Sequence, residues 1–148
     1  MNDHKKEVAV RIAKIPADKK LCETASAFML ASIASQYSYN FSWQSRPIIQ
    51  YPQDIVALQE LIWQIKPDLI IEAGIAHGGS LIYYASILAM LDVANAIENG
   101  TKMDPKETKR KVLGLDIDIR KHNKDAIEAH PMFNWIEMIE GSSVSDQT

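Results

Sequence analysis

Apolar positions recur at helical spacing between Asp18 and about Gln36, at Leu21, Ala25, Phe28, Met29 and Ile33. The pattern predicts an amphipathic helix, placed ahead of the core, whose apolar stripe docks against another surface. The next stretch, YSYNFSWQSRPIIQYPQD, is aromatic-rich without a clean period, and Pro47 and Pro52 exclude a continuous helix, so an ordered loop is expected. Asp54 can cap a helix that carries Ile55, Leu58, Ile62 and Ile65 on one face and ends at Lys66-Pro67. DLIIEAG is short, almost continuously apolar and rich in β-branched residues, the pattern of a strand buried on both faces of a parallel sheet. From Ser80 to about Ile97 the chain is apolar on most sides, which predicts a helix buried against that sheet and broken at Gly100. ENGTKMDPKETKR, with seven charged residues and one proline in thirteen, reads as an exposed, mobile connection. KVLGLDID gives a second buried strand ending in carboxylates, RKHNKDAIEAHP a short helix stopped by Pro131, and NWIEMIEGSS a third strand with partial alternation.

Strand, helix, strand, helix, strand, joined by right-handed crossovers, makes one parallel βαβαβ half of a doubly wound, Rossmann-like α/β sheet. Residues 1–53 are then an amino-terminal helical extension with its aromatic loop, and residues 54–148 the first half of the α/β domain. Composition agrees with a single soluble core: 148 residues, 47% hydrophobic and 24% charged. The net charge of −3 and the scattered basic residues leave no footprint for a phosphate backbone, so nucleic acid is not expected as a partner. Cys22 is the single cysteine, which rules out an intramolecular disulfide, suits a reducing compartment, and is expected as a small buried hydrophobe. The amino terminus has no apolar core of signal-peptide length, and the run from Leu81 to Leu91 falls short of the roughly 20 residues that cross a bilayer. The expectation is a cytoplasmic protein with no membrane span.

Chemistry concentrates where the first strand meets the long helix. Gly74, Gly78 and Gly79 make a turn that leaves backbone N–H groups free at a helix start and lets a ligand approach the main chain. Their spacing, G-x-x-x-G-G, departs from the dinucleotide fingerprint G-x-G-x-x-G, which counts against NAD. Glu72 sets a negative charge beside the turn that repels phosphate and attracts an ammonium or sulfonium group. Asp116 ends the second strand, where a carboxylate can accept from both ribose hydroxyls of a nucleoside; its plainer role is to cap the following helix. Ser142 and Ser143 lie where an adenine edge can be hydrogen-bonded, or are simply turn residues. Together these positions outline a pocket for S-adenosylmethionine. His77 is either an acid–base group or a positional turn residue. Asp118, on the same side of the strand as Asp116, can add a second polar contact, and His122 and His130 are expected to face solvent.

With those residues in place, the sequence resembles the cephalosporin hydroxylase family, which includes rhamnosyl O-methyltransferases. The matching segments are RPIIQYPQDIVALQELIW, KPDLIIEAGIAHGGSLIYYAS, VLGLDIDIRKHN and IEGSS, and the likeness runs from about Tyr37 to the last residue. The resemblance implies a Rossmann-like methyltransferase fold and S-adenosylmethionine as cofactor. It also implies a divalent metal, magnesium, that binds and activates a hydroxyl of a small molecule or sugar. Glu72, Gly74, Gly78, Gly79, Ser80 and Asp116 fall on the cofactor motifs, and His77 and Ser142 complete the expected cofactor-binding set. No catalytic residue is assigned.

The chain departs from that pattern twice. Trp43-Gln44-Ser45-Arg46 stands where a Trp-Leu-Gly type of turn is expected before the Arg-Pro. The metal carboxylates implied by the resemblance come from the fourth and fifth strands, in motifs like Leu-Asp-Ser and Glu-Asp that do not occur before Thr148, so no metal ligand is assigned. In such a sheet the fourth strand lies beside the first, which makes DLIIEAG an apolar edge here. The expectation is either self-association into a homo-oligomer or a chain that is a fragment of a longer product. In functional terms the sequence supports an O-methyltransferase-like enzyme first, a non-catalytic nucleoside-binding or assembly module second, and an NAD-dependent enzyme third.

Overall fold

The computed structural model describes residues 3–144, which divide into two compact units meeting between Ser38 and Tyr39. The outermost residues of both expected domains, 1–2 and 145–148, lie outside the described residues. In the first unit α1 (Asp3–Lys14) leads through a 3-10 turn into α2 (Lys19–Ala34). Asp18 caps α2, its Oδ1 accepting from the Leu21 N–H at 3.0 Å, which satisfies one of the four free donors at a helix start. The stripe expected to dock is exposed instead: Leu21, Phe28, Met29 and Ile33 all face out, and Ser32 is the buried residue of α2. α1, DHKKEVAVRIAK, is too charged to offer a matching apolar surface. Cys22 is also exposed, with its thiol 3.6 Å from the Ile15 carbonyl oxygen, rather than a buried hydrophobe.

The second unit opens on a hairpin where an irregular loop is expected. β1 (Phe41–Trp43) pairs antiparallel with β2 (Arg46–Ile48), and Gln44 and Ser45 turn the chain with φ of 44° and 70°. Left-handed backbone at both central positions is what a two-residue hairpin needs to match strand twist. Because the hairpin packs on the long core helix, it belongs with the sheet, and the unit boundary falls earlier than the sequence-based 53/54 division. α3 (Pro52–Ile65) starts at Pro52, with Tyr51 as its cap; Asp54 sits in the first turn and is not the cap. Proline suits a first turn because its missing N–H has no partner there anyway. Lys66, left-handed at φ 52°, ends the helix as expected.

Three parallel strands follow, β3 (Leu69–Ala73), β4 (Lys111–Asp116) and β5 (Ile136–Glu140), in the order β3-β4-β5. They are joined by α4 (Gly79–Asn99) and α5 (Lys121–Glu128). Both crossovers step the sheet in one direction, so the right-handed rule puts both helices on the same face. That face holds the core: Val112 and Ile136 from the sheet, Leu81, Ile82, Ala85 and Leu88 from α4, and Ile127 from α5. By length and composition α4 would pass for a membrane span, yet half of its apolar window is buried in this core. The other face carries no helix layer among the described residues. Leu69 is 51% and Ile71 61% exposed, so β3 is buried on one face only and is the sheet's edge, where two-sided burial is expected from its composition.

The charged connection is mostly exposed, as expected, and is tied to the core at a few points. Asp92 on α4 accepts from Thr108 Oγ1 at 2.6 Å, from Trp135 Nε1 at 2.8 Å and from the Arg110 guanidinium, and Met103 packs against the core. Burial pushes the Asp92 carboxyl upward, but the bonds from Thr108, Trp135 and Arg110 outweigh it and hold the group below the usual carboxylate range.

Candidate functional site at the carboxyl ends of the strands

β3 delivers the chain to a turn with three left-handed residues, Gly74 (φ 90°), Ala76 (φ 47°) and Gly78 (φ 79°). Alanine in that region costs on the order of 1–2 kcal/mol, so something must hold it, and three side chains from three elements do. Asp116 Oδ2, at the end of β4, accepts from the N–H groups of Ile75 at 2.7 Å and Ala76 at 3.4 Å. Asn123 on α5 donates through Nδ2 to the Ala76 carbonyl at 2.8 Å. Arg46 on β2 donates to the His77 carbonyl, through Nε at 3.0 Å and also through Nη2, and its Nη2 reaches Asn123 Oδ1 at 3.1 Å. Arg46 and Asn123 are absent from the sequence-derived site, since nothing local in the chain signals contacts made 31 and 47 residues away.

The three glycines divide into two kinds. A Cβ at Gly78 would run into Ile127, and one at Gly79 into the Pro47 carbonyl, so this pair lets α4 start tight against α5 and the hairpin. A Cβ at Gly74 would meet nothing within 4 Å. Bare backbone therefore faces open space at Gly74 alone of the three.

Beside it Glu72 is held on one side only. Ser80 donates to Oε1, while Oε2 is buried with no partner. Burial drives the Glu72 pKa up to about 7, against the lowering effect of the Ser80 bond. The carboxyl lines a pocket of about 130 Å³ with Pro47, Gln50, Gly74, His77 and Ser80. Gly78, the cap of α4, brings no side-chain bond to that helix start.

Two further pockets adjoin the same strand ends. One, about 320 Å³, is lined by His77, Asp116, Asp118, Arg120 and Asn123. The other, about 240 Å³, lies between Gly74, Asp116, Ile117, Ser142 and Ser143. A larger cavity of about 440 Å³ sits at the opposite ends of the strands around Asp92 and Arg110, away from the turn.

Asp116 thus borders two of these pockets. Burial raises its pKa, but N–H groups of Asp118, Ile75, Ala76 and Ile117 prevail and hold the carboxyl below its usual range. It does not cap α5, whose cap position is Arg120. Its Oδ2 is committed to the turn, and Oδ1 accepts from Asp118 N at 3.2 Å. Ser142 Oγ accepts from Val144 N at 3.4 Å. His122 is exposed as expected, and His130 is half-buried, its Nδ1 accepting from Met132 N at 3.2 Å and its Nε2 lying 3.1 Å from the Gln44 carbonyl. Among the described residues no group of three or more His, Cys, Asp or Glu could hold a metal ion.

A parallel α/β sheet with a clamped glycine turn and a polar crevice at the strands' carboxyl ends is the architecture of proteins that bind nucleoside-type ligands there. The family model described as Rhamnosyl O-methyltransferase/CmcI matches residues 35–148, and the chain belongs to that family. The solved structure titled "CmcI-N160 apo-structure" is similar over 74% of this chain and 39% of its own, at 17% identity and a TM-score of 0.50. Another, titled "cmcI-N160 SAH", is similar over 73% and 46%, at 16% identity and a TM-score of 0.48. No curated protein sequence matches. The family match and the apo structure make this a mixed α/β fold related to that of CmcI, and the chain spans less than half the length of these two solved chains.

Proposed function

We propose that the turn from Glu72 to Ser80 seats S-adenosylmethionine, and that the protein acts as an O-methyltransferase on a hydroxyl of a small molecule or sugar. The observation that carries this reading is the buried, unpartnered Oε2 of Glu72 beside the open backbone at Gly74. Such an oxygen is costly unless a donor arrives, and the ligand's ammonium is a charged donor. Family membership supplies the chemical class. In this reading Ser80 fixes Glu72, and Gly78 and Gly79 bring the start of α4, with its free N–H groups, up to the ligand's carboxylate. Asp116 Oδ1 takes a ribose hydroxyl, and Ser142 an adenine edge. His77 lines the passage between the two halves of the site.

Bound S-adenosylmethionine supplies an electrophilic methyl group on a sulfonium. The chain's own task is then to hold that centre in line with an acceptor oxygen and to exclude water, which needs positioning more than a set of acid–base groups. A divalent metal does not fit the described residues, which offer no cluster to hold it, and no step is assigned to one.

Calorimetric titration of the full chain with S-adenosylmethionine tests the reading: saturable binding is expected, weakened at least about tenfold in Glu72→Ala. A wild-type chain that gives no heat at millimolar ligand removes it. A second reading, a nucleoside-binding or assembly module without chemistry of its own, is favoured by the uncovered sheet face at Leu69 and Ile71. Binding without methyl transfer to any hydroxyl acceptor, together with a stable oligomer, would select it.

A further inference from the structure

The pocket under Glu72 has a second wall that the sequence left out of the site. Gln50 follows β2 and lines the same space of about 130 Å³. Its Oε1 is buried and has no hydrogen-bond partner, as is true of Glu72 Oε2. Both atoms have lost water and gained nothing in return, and one small pocket holds the pair.

Tyr84 on α4 ties the two groups together. Its hydroxyl is hydrogen-bonded to the Gln50 side chain and is raised in pKa first by burial and then by the Glu72 charge, with the Gln50 bond acting against both. The Gln50 side chain is thus engaged by Tyr84, while its Oε1, which has no partner, is left for something else. Ser80, the neighbouring hydroxyl, is already spent on Glu72 Oε1. The segment is also anchored, since Pro47 abuts Gly79 and Arg46 holds His77.

Two unpartnered acceptors on residues that line one pocket, one of them a carboxylate, match a group that carries several N–H donors and a positive charge. A primary ammonium has three donors and no acceptor. A carboxylate, a phosphate or an ether oxygen would leave both atoms unsatisfied and add repulsion. We propose that Gln50 is a specificity-determining residue of this site: its Oε1 takes one N–H of the ligand's primary ammonium while Glu72 takes another. The site then selects nucleosides that bear a free α-amino group over the same nucleoside without it. This rests on the cofactor reading above and adds to it a residue and a selectivity.

The test titrates the full chain with two probes, S-adenosylhomocysteine and its deamino analogue, in which hydrogen replaces the α-amino group. Wild type should prefer the amine by at least about tenfold, because a polar site rejects an analogue that leaves its groups unpaired. Gln50→Leu should weaken S-adenosylhomocysteine about tenfold and leave the deamino analogue within about twofold. Equal losses for both probes, or no loss, overturn the assignment of Gln50. Should Gln50→Leu not fold by thermal melting, Gln50→Glu takes its place: the added carboxylate should widen the preference for the amine, and an unchanged ratio overturns the proposal. A wild-type chain that binds neither probe removes the cofactor reading and this inference together, whereas binding with no change in Gln50 variants removes the inference alone.

Discussion

Two partly buried carboxylates at opposite ends of the sheet meet opposite fates. Asp92, below the amino ends of the strands, receives Thr108, Trp135 and Arg110 and is held below its usual pKa range. Glu72, at the carboxyl end of β3, receives Ser80 on one oxygen, nothing on the other, and is pushed up to about 7. The chain is able to saturate a buried carboxylate, and has done so where the charge serves the fold. It leaves one unsaturated at the end of the sheet where parallel α/β proteins bind ligands. Saturation thus separates the two carboxylates more clearly than burial does, because both are partly withdrawn from water.

The largest effect expected from breaking this contrast is at the saturated end. Asp92→Ala leaves Arg110, only 12% exposed, with just the exposed Asp68 at 3.9 Å from its Nε, and frees the donors of Thr108 and Trp135. Each partly buried donor left without its acceptor costs about 1–3 kcal/mol, and three lose it together. Denaturant unfolding should show a loss of that order; a change below about 1 kcal/mol would mean that the cluster is solvated and the comparison false.

At the other end the pH dependence has the opposite sense. The Glu72 pKa is raised in the folded chain, so the folded state binds the proton more tightly than the unfolded state between pH 4.5 and about 7. Its contribution is fully present below pH 4.5 and lost as pH rises through about 7, an amount of up to about 3 kcal/mol. Glu72→Gln removes that slope and should be the more stable protein at pH 8. Asp92, with a lowered pKa, contributes in the reverse sense, its stabilisation being lost as the solution turns acid through its folded pKa. Melting curves from pH 4 to 8 on wild type and Glu72→Gln read the difference; parallel curves would show that water or a rearranged donor already satisfies Oε2.

How far the sequence could foresee this arrangement depends on the range of the forces involved. β3, β4, α4 and the stops at Lys66 and Gly100 were legible, because apolar runs, helical spacing and left-handed caps are written in adjacent residues. The hairpin was not, since strands of three residues carry little pattern and Gln44-Ser45 turns the chain without a glycine. One-sided exposure of β3 was equally hidden, because Leu69 and Ile71 look the same in sequence whether or not a second helix layer covers them. Glu72, Gly74 and Asp116 could be placed at the strand ends from their position alone. Arg46, Gln50 and Asn123 enter that end only through tertiary contacts.

The glycines sharpen the contrast within the turn itself, at a smaller scale. Gly79→Ala drives a Cβ into the Pro47 carbonyl, where backbone must move, and should cost about 1–3 kcal/mol of stability. Gly74→Ala meets no atom and suffers only its left-handed φ of 90°, about 1–2 kcal/mol, but fills the space left open for a ligand. Binding of S-adenosylmethionine should therefore fall far more in Gly74→Ala than its melting temperature suggests. If instead both variants lose binding only in proportion to stability, the open approach at Gly74 is not part of a site.

The smallest effect on folding, and the last distinction, concerns the two faces of the sheet. One face is covered by α4 and α5, whereas Leu69, Ile71 and Ile139 on the other are exposed, and among the described residues β3 offers an unpaired edge beside them. An apolar face next to a free edge is a pairing surface, and a second copy of the chain is the partner always available to it. Sedimentation at micromolar concentration should show a species heavier than the monomer, and Ile71→Lys should shift it toward the monomer. The same substitution should alter the stability of the monomer by no more than about 0.5 kcal/mol, because Ile71, 61% exposed, has little packing to lose. A wild-type chain that sediments strictly as a monomer would remove self-association. It would leave the open face as a place for a different chain or a further segment of α/β structure.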